Sequence, residues 1–250
     1  MRTSNPALSE KMFSDLGSAS ISERDAMTVG GTVNKTLISL IILIGAAIYT
    51  WSLSDAWGAE GGVGPYVTGG AIGGFVVALI TIFKKEWAPV TVPIYAALEG
   101  LFLGAISAKY AMAFYPGIVF QAIGLTMGTF LVMLLVYRAN IIPVTKKLRM
   151  GIVAATGGIA LLYVFTWILS FFMGPGYMPM IHQSGMIGIG FSLLVVGVAA
   201  FNLLLDFDFI EKASEQRLPK YMEWFGAFGI LVTLIWLYIE FLRLLSKLRD

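Results

Sequence analysis

Long apolar runs separated by short polar clusters dominate this chain. Seven of them have the length of a membrane span, over residues 36–53, 66–83, 88–108, 117–137, 151–172, 185–205 and 225–245. A hydrocarbon core about 30 Å thick takes roughly 20 residues of α-helix to cross. In lipid only helices and closed barrels satisfy their backbone groups, and these runs do not alternate as barrel strands do. The pattern therefore predicts an all-α integral membrane protein with seven transmembrane helices. Residues 1–35 are polar or mixed and read as a cytoplasmic N-terminal tail, ahead of a single seven-span domain over residues 36–250. In the tail, Leu8, Met12, Phe13 and Leu16 recur at helical spacing with Glu10, Lys11 and Asp15 between them, the pattern of a short interfacial helix. The first long run, from Thr36, exceeds a signal-peptide core and no small-residue cleavage site follows it, so it is expected to direct insertion itself.

Composition supports the same solvent. The chain is 58% apolar and 13% charged, against about half and a quarter in soluble domains. That leaves too little polar surface to cover a water-soluble globule. Cysteine is absent, which excludes disulfide and thiolate chemistry. The phosphate-binding loop, the nucleophile elbow and the zinc-protease helix motif are all missing, and Gly188-Ile189-Gly190 runs into Phe191 where an intramembrane aspartyl protease needs its aspartate. The only histidine, His182, falls in the loop before the sixth run. Neither an enzyme nor a nucleic-acid partner is indicated.

Charge along the chain gives an orientation. With seven spans and the N-terminus in the cytoplasm, the inner segments hold Arg2, Lys11, Arg24 and Lys35, then Lys84 and Lys85, then Arg138, Lys146, Lys147 and Arg149, then Lys212, Arg217 and Lys220. Outside fall Lys109 and the tail residues Arg243, Lys247 and Arg249. The inner excess orients the N-terminus inside. A re-entrant last segment would bring the basic C-terminus back in, but the last run is long enough to cross, and seven crossings are expected.

Acids within such runs are costly unless paired, so they are the first candidates for function. Glu99 lies in the third run, about 16 Å from its inner end at 1.5 Å per residue and so near the midplane. Asp206 and Asp208 close the sixth run, and two residues on a helix turn through about 200°, so the two face apart. Glu240 stands in the last run with Arg243 three residues on, the spacing of an ion pair. Each has a plainer reading: a hydrogen-bonded neutral acid at Glu99, a helix end at the headgroups for Asp208, a structural ion pair at Glu240. Carboxylates without clustered histidine or cysteine suit a hard cation such as Ca²⁺ rather than a transition metal. Small residues mark helix contacts, in the overlapping GxxxG patterns of Gly69-Gly70-Ala71-Ile72-Gly73-Gly74, in the Gly100/Gly104 pair and in the Gly124/Gly128 pair. The packing pairs expected are Gly69 with Gly73 and Gly100 with Gly104.

These features in this order resemble the Bax inhibitor-1 family, in particular a bacterial branch that opens on R-x-S-N-P, here Arg2-Thr3-Ser4-Asn5-Pro6, with M-T-V before span one, here Met27-Thr28-Val29. Glu99-Gly100 through Gly104 match the third span's pattern, Asp206 through Ile210 the sixth, and Leu237-Tyr238-Ile239-Glu240-Phe241 the seventh, where glutamate stands for aspartate. The resemblance implies a last helix held centrally between two three-helix layers. It also implies a pH-sensitive Ca²⁺ leak in a bacterial inner membrane, gated by two acids that share a proton. Carried over, those acids are Asp206 and Glu240, which would also be the Ca²⁺ ligands; the residues themselves add Glu99 and Asp208 as further acids along the ion path. The implied partners are the bilayer, Ca²⁺ and protons, with no cofactor. The rival reading is a non-conducting regulator that binds membrane proteases or other membrane proteins.

Overall fold

The structure, a computed structural model, describes residues 25–57, 62–173 and 184–249. Seven helices follow one another: α1 Val29–Trp57, α2 Gly64–Phe83, α3 Ala88–Ala113, α4 Gly117–Arg138, α5 Lys146–Met173, α6 Met186–Glu215 and α7 Met222–Lys247, with a 3-10 turn over Lys85–Trp87 before α3. All seven are long and apolar enough to cross a membrane. The all-α, seven-span membrane architecture read from the hydropathy pattern is the one observed. The interfacial helix expected around Leu8–Leu16 and the His182 loop lie outside the described residues.

Helix α7 runs 26 residues without interruption, about 39 Å at 1.5 Å per residue and more than the hydrocarbon thickness. A re-entrant segment would need a break that is not there. In the most apolar stretch of α7, 78% of residues are buried, against 56% in α3 and less in every other span.

The chain divides into two compact units. One comprises Met1–Lys109 with Asp208–Val232, the other Tyr110–Phe207 with Thr233–Asp250. In the first, glycines set the helix contacts. A Cβ added at Gly100 or Gly104 of α3 would collide with the backbone carbonyls of Leu43 and Ala47 on α1. Without a hydrophobic drive in lipid, such close backbone approach is what holds helices together. On α2 the contact falls one position later than expected. Gly69 faces open space and Gly73 meets only the flexible end of Leu98, whereas Gly70 lies against the Leu98 carbonyl and Phe102, and Gly74 against Glu99. Overlapping GxxxG patterns offer two adjacent faces, and the packing selects Gly70 and Gly74.

Helix α1 starts seven residues before the apolar run does, because its first turn is capped by polar groups. Gly31 N donates to Thr28 Oγ1 at 2.9 Å, and both Thr28 N and Thr28 Oγ1 donate to Glu223 Oε1 at 3.1 Å. Glu223, on the first turn of α7, is 1% exposed, and a Cβ at Gly31 would collide with its carboxyl. Backbone bonds from Met27 N to Leu218 O and from Lys220 N to Asp25 O fasten the same junction. Pro219, a candidate first residue for the last helix, belongs instead to the bridge with Ala26. Glu223→Ala removes the acceptor of two donors at a helix start, where a lost cap costs about 1–2 kcal/mol. Thermal unfolding in detergent should therefore fall by about 2–4 °C per kcal/mol for a chain of this size. Thr28→Val should give a similar, non-additive loss. Two losses that simply sum would show that the side chains act separately.

Helix α6 also outruns its apolar stretch. It continues ten residues past Leu205 because Lys212 neutralises Asp208 one turn away, at 2.6 Å, and because Ile210 and Ala213 are buried. Asp206 and Asp208 therefore lie within the helix and do not end it.

Candidate functional site

Asp206 stands nine residues from the C-terminal end of α6, about 14 Å along the helix. The facing residue on α7 is Thr233, eleven residues from that helix's start and so at a matching height of about 16 Å. Thr233 Oγ1 donates to Asp206 Oδ2 at 2.6 Å. Thr233 is buried, as are Leu203, Leu204 and Phe207 around the acid. Phe207 in turn packs edge-on against Phe130 and tilted against Tyr137. The result is an acid on α6 held by a hydroxyl of α7, on a helix segment whose neighbouring residues are buried. Asp208, two residues on, turns to Lys212 in the other unit, as the helical angle requires.

Glu240 is elsewhere. It lies seven residues beyond Thr233, about 10 Å higher on α7, with its side chain 1% exposed. Its Oε1 accepts hydrogen bonds from the Tyr163 hydroxyl at 2.8 Å and from Arg243 Nη1 at 2.7 Å. The Arg243 guanidinium lies 5.3 Å over the Tyr163 ring, and Tyr110 is within hydrogen-bonding reach of it. One turn further on, Lys247 Nζ donates to Gly188 O and Ser192 Oγ, and Arg249 sits over the Tyr115 ring at 3.8 Å. The basic residues that conflicted with the charge rule thus have partners inside the protein.

The structure does not bring Asp206 and Glu240 together: Thr233 bonds to the first, Tyr163 and Arg243 to the second. The reason is depth. The extra length of α6 lowers nothing on α7: Glu240 stands about 27 Å from the start of its helix, well above Asp206. Among the described residues, no three His, Cys, Asp or Glu side chains gather as a metal site would need.

Residues 5–250 match the model of a family described as Bax inhibitor 1 like. The chain belongs to the Bax inhibitor 1 like family. Among curated proteins, none matches it.

In this member of the Bax inhibitor 1 like family, the remaining acid of the sequence reading, Glu99, is on α3 beside Gly74 of α2. Three residues that shape the sites escaped the sequence reading. Thr233 is a neutral hydroxyl in an apolar run and carries no charge penalty to flag it; matching heights on α6 and α7 would have found it had the helix ends been legible. Glu223 was hidden at the edge of the last run, although Thr28 with Gly30-Gly31 behind it is a helix-start signal. Lys247 looked like part of a solvated tail and is instead buried.

Proposed function

We propose that this membrane protein is a pH-sensitive leak for Ca²⁺ in which Asp206, facing Thr233, is the sensor. The observation that carries the reading is the hydrogen bond between the last two spans at a single titratable group. Family membership supports the class of activity. When Asp206 is protonated, the carboxyl is neutral and the two helices close on it without a charge in lipid. When it is ionised, Thr233 supplies one hydrogen bond, too little to replace the hydration of a carboxylate. The charge then favours water and a cation at the contact, and the flux rises with pH. One acid facing a hydroxyl titrates in one step, whereas an acid pair would titrate in two.

Glu240 has a different part in this reading. Its bonds to Tyr163 and Arg243 make it a strut of the second unit, and the gate is Asp206 with Thr233. The orientation proposed is N-terminus in the cytoplasm and C-terminus outside, in a bacterial inner membrane. A C-terminal tag reached by an impermeant label on intact cells supports it; a tag protected like the N-terminal one contradicts it.

Purified protein in vesicles loaded with a Ca²⁺ dye tests the function. The expected result is flux above that of empty vesicles, larger at alkaline than at acid pH. Flux no greater than in empty vesicles at any pH would leave the non-conducting regulator as the reading.

A further inference from the structure

The four residues ahead of α1 grip the α6–α7 turn on both of its sides. Met27 N donates to Leu218 O at 2.7 Å on the α6 side, and Lys220 N donates to Asp25 O at 2.8 Å on the α7 side. Thr28 then reaches the first turn of α7, where its N and Oγ1 both donate to Glu223 Oε1. The grip is buried: Ala26, Met27, Leu218, Met222 and Glu223 are each no more than 6% exposed. Just beyond it α1, α6 and α7 meet. A Cβ at Gly226 of α7 would stand 3.0 Å from Thr32 Cγ2 of α1 and 3.1 Å from Ile210 Cγ1 of α6, and Lys35 of α1 lies 5.2 Å over the Trp224 ring of α7.

The turn held in this way is a strained one. Arg217, two residues past α6, has a φ of 51°, a left-handed conformation that costs an L side chain and that glycine usually takes at a helix end. Leu218 N closes the turn back onto Ala213 O. Strain of this kind persists where the surroundings over-determine it, and it collects at switches. From the turn both helices run unbroken toward the proposed gate. The first unit takes in Asp208–Val232, so α6 and α7 leave it two residues from Asp206 and directly at Thr233. The two arms, about 14 and 16 Å long, form a stiff hairpin. With the turn fixed, their angle and offset are fixed, and the Asp206–Thr233 contact opens only if one of these changes.

We infer that Asp25–Thr28 is a latch on the α6–α7 hairpin: it holds the turn while Asp206 and Thr233 are in contact and releases it when they part. The part of the latch in flux rests on the leak reading. Thr28 and Glu223 are its positioning residues, and neither touches the gate.

A cross-link tests the release. Ala26 and Pro219 form an antiparallel bridge whose bonds lie on the flanking residues, the kind of pair with Cα atoms about 4.5 Å apart, within the span of a disulfide. The chain has no cysteine of its own, so Ala26→Cys with Pro219→Cys gives one defined bridge. In the dye-loaded vesicles at alkaline pH the oxidised pair should lose about tenfold in flux, and a reductant should restore it. Thr28→Val, which loosens the grip, should raise flux at acid pH severalfold. Equal flux in the oxidised and reduced pair, or acid flux unchanged in Thr28→Val, overturns the part of the latch in transport. A second measurement needs no transport. At one alkaline pH, amide hydrogen exchange in peptides covering Met27 and Lys220 should be about tenfold slower in Asp206→Asn, which keeps a neutral contact, than in wild type. Equal exchange overturns the latch whether or not the protein conducts. A wild-type protein that conducts nothing overturns the leak reading and leaves hydrogen exchange to decide the latch.

Discussion

Replacing Glu240 with alanine is expected to destabilise the protein strongly. The substitution removes the acceptor shared by Tyr163 and Arg243 and leaves the guanidinium without its counter-charge. Breaking a buried ion pair by removing one partner costs about 3–5 kcal/mol. The Arg243 side chain is 35% exposed, so water recovers part of that and the lower end applies, about 3 kcal/mol. Thermal unfolding in detergent should fall by roughly 6–12 °C, at about 2–4 °C per kcal/mol. Arg243→Ala should cost at least as much, because it leaves an acid that is 1% exposed without its counter-charge. Replacing both residues with apolar ones of similar volume should recover much of the loss, since an ion pair removed whole is often nearly neutral. Singles that each shift the transition by only a degree or two would mean that the pair is incidental. The milder Glu240→Gln change should leave the pH midpoint of flux where it is, as befits a strut.

The second large effect is a gain of coupling. Thr233→Asp puts a carboxyl against Asp206 at hydrogen-bond distance. Two acids sharing one site cannot both ionise cheaply, and the pair holds a proton to higher pH than a single acid does. The flux midpoint should therefore move upward by at least about one pH unit, with the transition splitting into two steps. Thr233→Val removes the hydroxyl that donates to Asp206 and should keep a single step. An unmoved midpoint in Thr233→Asp would show that this contact does not control the flux, however well it packs.

The architecture was legible in the sequence because lipid admits so few alternatives. A run of twenty apolar residues has to be a helix, and seven such runs gave seven helices. The ends were harder, because polar groups carry a helix past its apolar run. Thr28 and Glu223 extend α1 backward to Val29, and Lys212 with the buried Ile210 and Ala213 extends α6 forward to Glu215. Those shifts decided the site. With α6 ending near Leu205, Asp206 is at the membrane surface and its partner is unidentifiable. With α6 ending at Glu215, it stands at the height of Thr233. Glu240 drew notice as the charged residue of the last span, yet charge marks a group that needs a partner and does not say which one. Arg243, three residues on, was the plainer reading and is the observed one. The glycine face on α2 was ambiguous for a similar reason: hydropathy cannot choose between two overlapping spacings one residue apart, and only the position of Glu99 and Leu98 on α3 distinguishes them.

The account turns on Asp206, and Asp206→Asn addresses it most directly. The substitution keeps the shape and the bond from Thr233 while removing the titratable charge. In vesicles loaded with a Ca²⁺ dye, wild type should show flux that rises from acid to alkaline pH, Asp206→Asn should show a low flux with no dependence on pH, and Asp208→Asn, whose carboxyl faces Lys212, should keep most of the wild-type profile. An Asp206→Asn protein that retains the full wild-type rise with pH would contradict the account.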